Sequence, residues 1–477
     1  SIETYPGFPK LDDYIYSNYG VMFNLPMAYI EKAFLIDDLK EIFLIRHLFN
    51  FIIFFISSIF FFLLLKKRFS KLLSIIGLLF FYLSPRIFAD SFYNNKDIIF
   101  FSFFIISLFF SINFLNNPNY IGALLSSITC SFAIATRVLG VIVPFVVLVF
   151  FILRSLDNNI FFKKNIFKII TYILFLQIFT ILFWPYLWID PITNFIKTLE
   201  SMSSYPWSGG IFYLGNYISA LNLPWHYSIV WILISTPILY LFLFFLGSYL
   251  IIIRSFKRFI NLSEKKSFND IYRGNKERMD IIFFSIFFLS IILVIELNST
   301  LYNGWRQLYY IYPSLIFISI RGLEFISRKI KVKYTFIFIF PFLIFTSLWM
   351  IKHHPFQFTY FNKLAGNNIR DNFEIDYWGV SNLKALNFIA KNNSNKKINV
   401  FVLSESPYHW SLLMLDKKDR KRFNFVKNIN ESNFIVTNHF YQKGNPIKIE
   451  QKLNEKFKLF KVFNVNKIPI NTIYINN

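Results

Sequence analysis

The sequence predicts a polytopic α-helical membrane protein with a small C-terminal α/β domain. Three observations carry that prediction. Of 477 residues, 55% are hydrophobic and 21% aromatic, with a mean hydropathy of +0.46, values typical of multi-spanning membrane proteins and not of soluble enzymes. About ten apolar segments of near-transmembrane length follow one another between residues 43 and 351. Beyond Lys352 those runs stop, and short alternating ones take over.

Residues 1–42 read as a polar, amphipathic segment containing Asp12, Asp13 and Glu31. The chain starts at Ser1, which leaves room for an upstream piece such as a further helix. Spans are expected at 43–65, 72–89, 98–115, 119–136, 138–153, 167–187, 227–253, 280–297, 304–320 and 334–351. Several are shorter than the ~20 residues a straight crossing needs, so their ends are expected to shift. Basic clusters at Lys66-Lys67-Arg68 with Lys71, at Lys163-Lys164, from Arg254 to Arg278 and from Arg328 to Lys333 fall on one side when the spans alternate. An excess of Lys and Arg marks that side as cytoplasmic. The opening segment, the loops 86–97, 185–226 and 298–306, and residues 352–477 then lie outside. In the last region, strand-like runs at Ile398 to Leu403, Phe434 to Val436 and Phe457 to Phe463 follow a helix-like stretch from Asn382 to Ala390. They read as one small α/β domain.

The formal charge of +23 does not point to nucleic acid. The cations sit largely in the loops that orient the helices, and no basic stripe with stacking aromatics occurs. A single cysteine, Cys130, lies in an apolar run, so no intrachain disulfide can form. There is no Gly-rich phosphate loop, nucleophile elbow or paired-cysteine motif.

Chemistry-bearing residues gather in the outer loops. Between Arg86 and Asp97 stand Asp90 and Lys96, beside Tyr93, Asn94 and Asn95. A carboxylate at the membrane surface can take a proton from an attacking hydroxyl, stabilise an oxocarbenium-like sugar centre or hold a divalent cation. A neighbouring Lys can neutralise a phosphate. The same Asp97 can equally cap the helix that follows. In Tyr302-Asn303-Gly304-Trp305-Arg306-Gln307, Arg306 stands where a helix re-enters the bilayer and suits bidentate phosphate binding, or snorkelling among interfacial aromatics. Arg137, alone between two apolar spans, reads the same way. The 185–226 loop, with Trp207, Tyr213 and His226, offers aromatic faces to sugars, to isoprenoid chains or to the interface itself. The stretch from His353 through Asn362 to Gly379 reads as a hinge, with substrate contact as its second use.

Taken in order, Ser84-Pro85-Arg86 through Lys96-Asp97, Ala135-Thr136-Arg137-Val138-Leu139-Gly140, Asn303-Gly304-Trp305-Arg306-Gln307, His354-Pro355-Phe356 through Asn362, and Asp376-Tyr377-Trp378-Gly379 form a series. The series resembles bacterial membrane glycosyltransferases of the GT-C superfamily, relatives of protein O-mannosyltransferases and of the lipid A aminoarabinose transferase. The resemblance implies a multi-pass enzyme of the bacterial inner membrane. It would take a sugar from a polyprenyl-phosphate donor and pass it to a lipid, glycan or protein acceptor on the outer face. A catalytic acid is expected in each of the first two external loops: Asp12 or Asp13 in the first, or an acid upstream of Ser1, and Asp97, with Asp90 as its rival, in the second. By position Lys96 and Arg306 would meet the phosphate, and Arg86, Arg137, Trp207, Tyr213, His354 and Asn362 are the further substrate-binding candidates. The superfamily contains metal-dependent and metal-independent members, so a divalent cation stays open.

Two other classes compete. A transporter or lipid flippase would carry charge within its spans and paired broken helices in related halves, and neither is evident here. A scaffold needs far fewer spans than these.

Overall fold

A computed structural model describes residues 19–203, 207, 209–260, 271–330, 332–441, 453 and 457–476. The chain is a polytopic helical membrane protein with a small C-terminal α/β domain, as the composition predicts. Among the described residues, seven helices are long and apolar enough to cross a membrane, and an eighth crossing results if one bent pair is counted. Each of the ten expected segments falls on a helix, and the differences have local causes. The 72–89 segment is a bent pair, Lys71–Tyr82 and Pro85–Tyr93, turning by 63° because Pro85 cannot continue a helix from Leu83. The 227–253 segment is also two helices, Tyr227–Ser235 and Ile238–Ile260, broken at Pro237 for the same reason. The 304–320 segment starts as a 3-10 turn, Arg306–Ile311, and continues as Tyr312–Ile330. Its last turns carry Arg321, Glu324, Arg328 and Lys329, too polar for an ordinary span. Tyr120–Thr136 is shorter than a full crossing.

Asp97–Asn116 forms the centre of the bundle, with 72% of its apolar window buried by neighbouring helices. It has no polar face: most of its surface meets protein, and the partly exposed stripe of Phe103, Ile106 and Phe110 is apolar as well. Helices Ile238–Ile260 and Tyr312–Ile330 cross closely at Gly247 and Gly322. A Cβ on Gly322 would stand 2.2 Å from the Leu243 carbonyl oxygen, and one on Gly247 2.0 Å from that of Ile318. Only glycine permits this approach, the small-residue packing usual in membranes.

Charge is stitched into one end of the bundle. Arg68, at the end of helix Leu39–Arg68, binds Asp280 at 2.7 Å and Glu324 at 3.2 Å, and Arg254 binds Asp280 at 2.7 Å. These are residues of the predicted basic side. The opposite end carries the 86–97 and 298–306 loops.

The described part of the 185–226 loop contains the helix Pro191–Ser203 and a hairpin. Its strands β1 (Gly210–Tyr213) and β2 (Asn216–Ser219) are antiparallel. The two turn residues, Leu214 and Gly215, both have positive φ (49° and 76°). Such a turn matches the twist of a hairpin, and Gly215 adopts it without strain.

After helix Val332–Lys352, the C-terminal domain builds a five-stranded mixed sheet on helix Val380–Asn392. Its strands are β3 (Ile398–Val402), β4 (Phe423–Val426), β5 (Phe434–Thr437), β6 (Phe457–Val465) and β7 (Ile468–Asn476). The spatial order is β4-β3-β5-β7-β6, with β3 parallel to β4 and β5, and β7 antiparallel to β5 and β6. The sequence pattern marks β3, β5, β6 and the helix, and misses β4 and β7. Apolar side chains of the helix, Ala385, Leu386 and Ile389, pack on Val400, Val436 and Ile473.

Candidate active site at one end of the helix bundle

The site grows from the start of helix Asp97–Asn116. Asn94 folds back so that its side-chain oxygen accepts from the Asp97 N–H at 3.0 Å, while its amide donates to Asp97 at 2.9 Å and to Asp90 at 3.3 Å. This local loop geometry aims both acids inward; Asp97 is 1% exposed and Asp90 3%. Arg137 follows directly after Tyr120–Thr136, where the helix gives way to a short 3-10 turn, and its guanidinium donates to one Asp97 oxygen. Arg306 arrives from a distant part of the chain and donates to the other oxygen at 2.7 Å. Lys96 lies over the Tyr19 ring at 4.2 Å. Burial, helped by the nearby positive charge of Arg137, pulls the Lys96 ammonium down to about 8.

Arg137 and Arg306 thus both engage the Asp97 carboxylate, with Lys96 next to it in the chain and Asp90 tied to the same Asn94. Buried like charges of this kind are stable only with strong compensation. Part of it comes from aromatic faces: Arg306 lies 4.7 Å from the centroid of Tyr302, 5.3 Å from Tyr377 and 5.6 Å from Trp378. Trp207 leans on Tyr302 at 4.4 Å, one ring away from Arg306.

Tyr377 and Trp378 come from the C-terminal domain and are held there by their neighbours. Asp376 caps helix Val380–Asn392 by accepting from the N–H groups of Val380 and Ser381 at 3.1 and 3.0 Å. Gly379 takes φ +67°, and a Cβ there would meet Ser406 Oγ at 2.4 Å. The Asp376–Gly379 sequence is therefore a tight corner that carries two rings onto the arginine. Nearby, Glu374 Oε1 accepts from the Phe212 N–H at 3.2 Å, while Tyr213 forms an isolated bridge with Phe373. The β1–β2 hairpin and the segment after the last span are thereby joined. Burial pushes the Glu374 carboxyl up to about 8.

A cleft of about 180 Å³ opens beside this cluster, with Tyr19, Arg137, Ser299, Thr300, Tyr302 and Gln307 as polar lining and Val138, Leu199, Leu297 and other apolar residues as walls.

The structure brings together Asp90, Lys96, Asp97, Arg137 and Arg306, with Trp207 one ring further out. Arg86 is adjacent to another aromatic pair, 4.6 Å from the Phe361 ring and 5.0 Å from Trp231, and donates to the Tyr360 carbonyl at 3.3 Å. Tyr213 is committed to His226, hydroxyl to Nδ1 at 2.7 Å. The substrate contacts expected of His354 and Asn362 do not appear in this cluster. His354 is exposed beside Gln357. Asn362 donates to the carbonyls of Leu233 and Thr236 at 2.6 Å each and accepts from the Leu364 N–H at 2.8 Å, so it ties the hinge to the bundle. Asp12 and Asp13 lie outside the described residues. Among the described residues, no group of three or more His, Cys, Asp or Glu is placed to hold a metal ion. Sequence reasoning did not single out Tyr377, Trp378, Glu374 or Gln307, although Tyr377, Trp378 and Gln307 lie within the quoted motifs.

Residues 39–184 match the family model described as dolichyl-phosphate-mannose-protein mannosyltransferase. That stretch carries Arg86, Asp90, Lys96, Asp97 and Arg137, and the match supports the resemblance to GT-C membrane glycosyltransferases. No curated protein sequence matches the chain. Among solved structures, the chain is similar to the apo oligosaccharyltransferase of Archaeoglobus fulgidus, with 10% identity and a TM-score of 0.46 over 87% of this chain and 57% of that one. It is also similar to ArnT from Cupriavidus metallidurans bound to undecaprenyl phosphate, with 10% identity and a TM-score of 0.45 over 97% of this chain and 88% of that one. The chain thus spans little more than half the length of the archaeal enzyme.

Proposed function

We propose that this integral-membrane protein is a glycosyltransferase that moves a sugar from a polyprenyl-phosphate donor to an acceptor on the extracytoplasmic face of a bacterial inner membrane. The single observation that carries the reading is the cluster of Lys96, Arg137 and Arg306 on one buried carboxylate, beside a cleft with largely apolar walls. Two guanidinium groups converging with an ammonium beside them suit a phosphate. The apolar walls suit the isoprenoid attached to it. The match of residues 39–184 to a family described by a dolichyl-phosphate sugar agrees with this donor class.

In this reading the acceptor's hydroxyl or amine attacks the anomeric carbon. The bond from that carbon to the phosphate oxygen breaks, and its electron pair leaves with polyprenyl phosphate. Lys96, Arg137 and Arg306 balance the charge that develops on the leaving oxygen. The acceptor's proton passes to an external-loop carboxylate. Asp97 is in position, but both of its oxygens already accept from guanidinium groups. Its first task is therefore to hold the two arginines at the spacing a phosphate needs. Asp90 beside it, and Asp12 or Asp13 in the opening segment, are the other carboxylates for the proton.

The test is product analysis on the full-length protein in lipid, supplied with a panel of polyprenyl-phosphate sugars and scored by mass spectrometry for released polyprenyl phosphate. Wild-type protein releases it, and Asp97→Asn does not. Turnover retained in that variant removes Asp97 from the mechanism. No release from any donor by folded wild-type protein favours a transporter or flippase.

A further inference from the structure

Among the described residues, two side chains that line the cleft, Gln307 and Arg137, each have a buried hydrogen-bonding atom without a partner. Gln307 is 8% exposed and lines the cleft together with Arg137. Its Nε2 donates to the Tyr302 carbonyl at 3.1 Å, which sets the orientation of the amide. Its Oε1 is buried and has no hydrogen-bond partner among the described residues. The Nε of Arg137 is buried and likewise without one. Leaving such groups unsatisfied carries the full cost of their desolvation. Both atoms thus belong to residues that line the cleft, whose mostly apolar walls also carry Tyr19, Ser299, Thr300 and Tyr302.

We propose that Gln307 is a sugar-reading residue, whose Oε1 accepts a hydrogen bond from one hydroxyl or N–H group of the donor sugar while the adjoining phosphate lies against Arg137. The assignment rests on the glycosyltransferase reading and deepens it by locating the sugar. A phosphate offers only acceptors to an arginine, and a sugar hydroxyl offers a donor to an amide oxygen. A glycosyl phosphate carries both within one short span, in the order that Arg137 and Gln307 demand. A bare polyprenyl phosphate has no group for Gln307. Because the amide is held by the Tyr302 carbonyl, it selects for the placement of that hydroxyl and not simply for polarity.

The experiment compares wild-type protein and Gln307→Leu, each full length in lipid nanodiscs. Binding is measured for undecaprenyl phosphate, for undecaprenyl-phosphate hexoses, and for analogues of the best-bound hexose that each lack one hydroxyl. Undecaprenyl phosphate binds both proteins equally, which also shows that the variant is folded. Wild type loses about tenfold or more in affinity for one deoxy analogue, and Gln307→Leu binds that analogue and its parent alike. If Gln307→Leu keeps the wild-type discrimination, or if wild type treats every deoxy analogue as its parent, Gln307 does not read the sugar, and the glycosyltransferase reading still stands. If wild type binds none of these lipids, that reading falls and the assignment of Gln307 falls with it.

Discussion

At the scale of single residues, the site is set by burial acting on charge. Glu374 shows the effect on stability. Its carboxyl, ordinarily near 4.5, is raised to about 8 in the folded protein, chiefly by burial. Between those values the unfolded chain has released the proton and the folded chain still holds it, so stability falls as pH rises from about 4.5 to about 8. The change is on the order of a few kcal/mol. Glu374→Gln removes the slope and is the more stable protein at pH 8, as thermal unfolding in detergent across that range will register. Lys96 shows the effect on binding. With its ammonium drawn down to about 8, it is charged at neutral pH and loses its charge above. The KM for the lipid-phosphate donor rises as pH passes 8, and Lys96→Arg, which stays charged, flattens that rise. Asp97→Asn leaves Arg137 and Arg306 without their counter-charge, so it destabilises by about 3–5 kcal/mol besides abolishing transfer. Unfolding measured alongside product release separates the two losses. Asp97, Lys96, Arg137 and Arg306 were legible in the sequence because charge is rare next to apolar spans. Gln307 and Glu374 were not, since a polar residue in a loop gives no sign of whether its partner is water or nothing.

At the scale of elements, breaks matter as much as helices. Pro85 and Pro237 split two of the expected spans, and the first break starts the turn that delivers Asp90 and Asp97. The Gly247–Gly322 crossing places Tyr312–Ile330, and with it the 3-10 turn bearing Arg306, against the bundle. Gly322→Ala drives a methyl group toward the Leu243 carbonyl, 2.2 Å from the position it would take, and costs about 1–3 kcal/mol. The expected result is a lower melting temperature, with a weaker donor affinity as Arg306 shifts; an unchanged melting temperature would show that the crossing relaxes freely. Helix period and apolar length were enough to locate these elements. The ends were less clear, because caps and prolines decide them residue by residue. Strands β4 and β7 were missed because both are short or polar-interrupted and acquire their strand character from pairing with β3, β5 and β6.

At the scale of the whole molecule, the C-terminal domain completes the site from outside the bundle. Tyr377 and Trp378 cover Arg306, and Phe373 and Glu374 meet the β1–β2 hairpin. Trp378→Ala removes one aromatic face, worth about 0.5–1 kcal/mol to the cation, so kcat/KM for transfer falls severalfold while the melting temperature holds. Loss of stability without loss of transfer would assign the ring to docking alone. By itself the sequence determined that the chain is a membrane protein, where its apolar segments lie, and which loops hold charge, because burial in lipid constrains composition over every stretch of about twenty residues. Only the tertiary structure decided that Asp97 is engaged by two arginines, one 40 and the other 209 positions along the chain, that two rings more than 70 residues beyond Arg306 lie upon it, and that Gln307 keeps one oxygen without a partner among the described residues. Each of these depends on which distant groups meet inside a low-dielectric interior, and no local pattern of residues encodes that meeting.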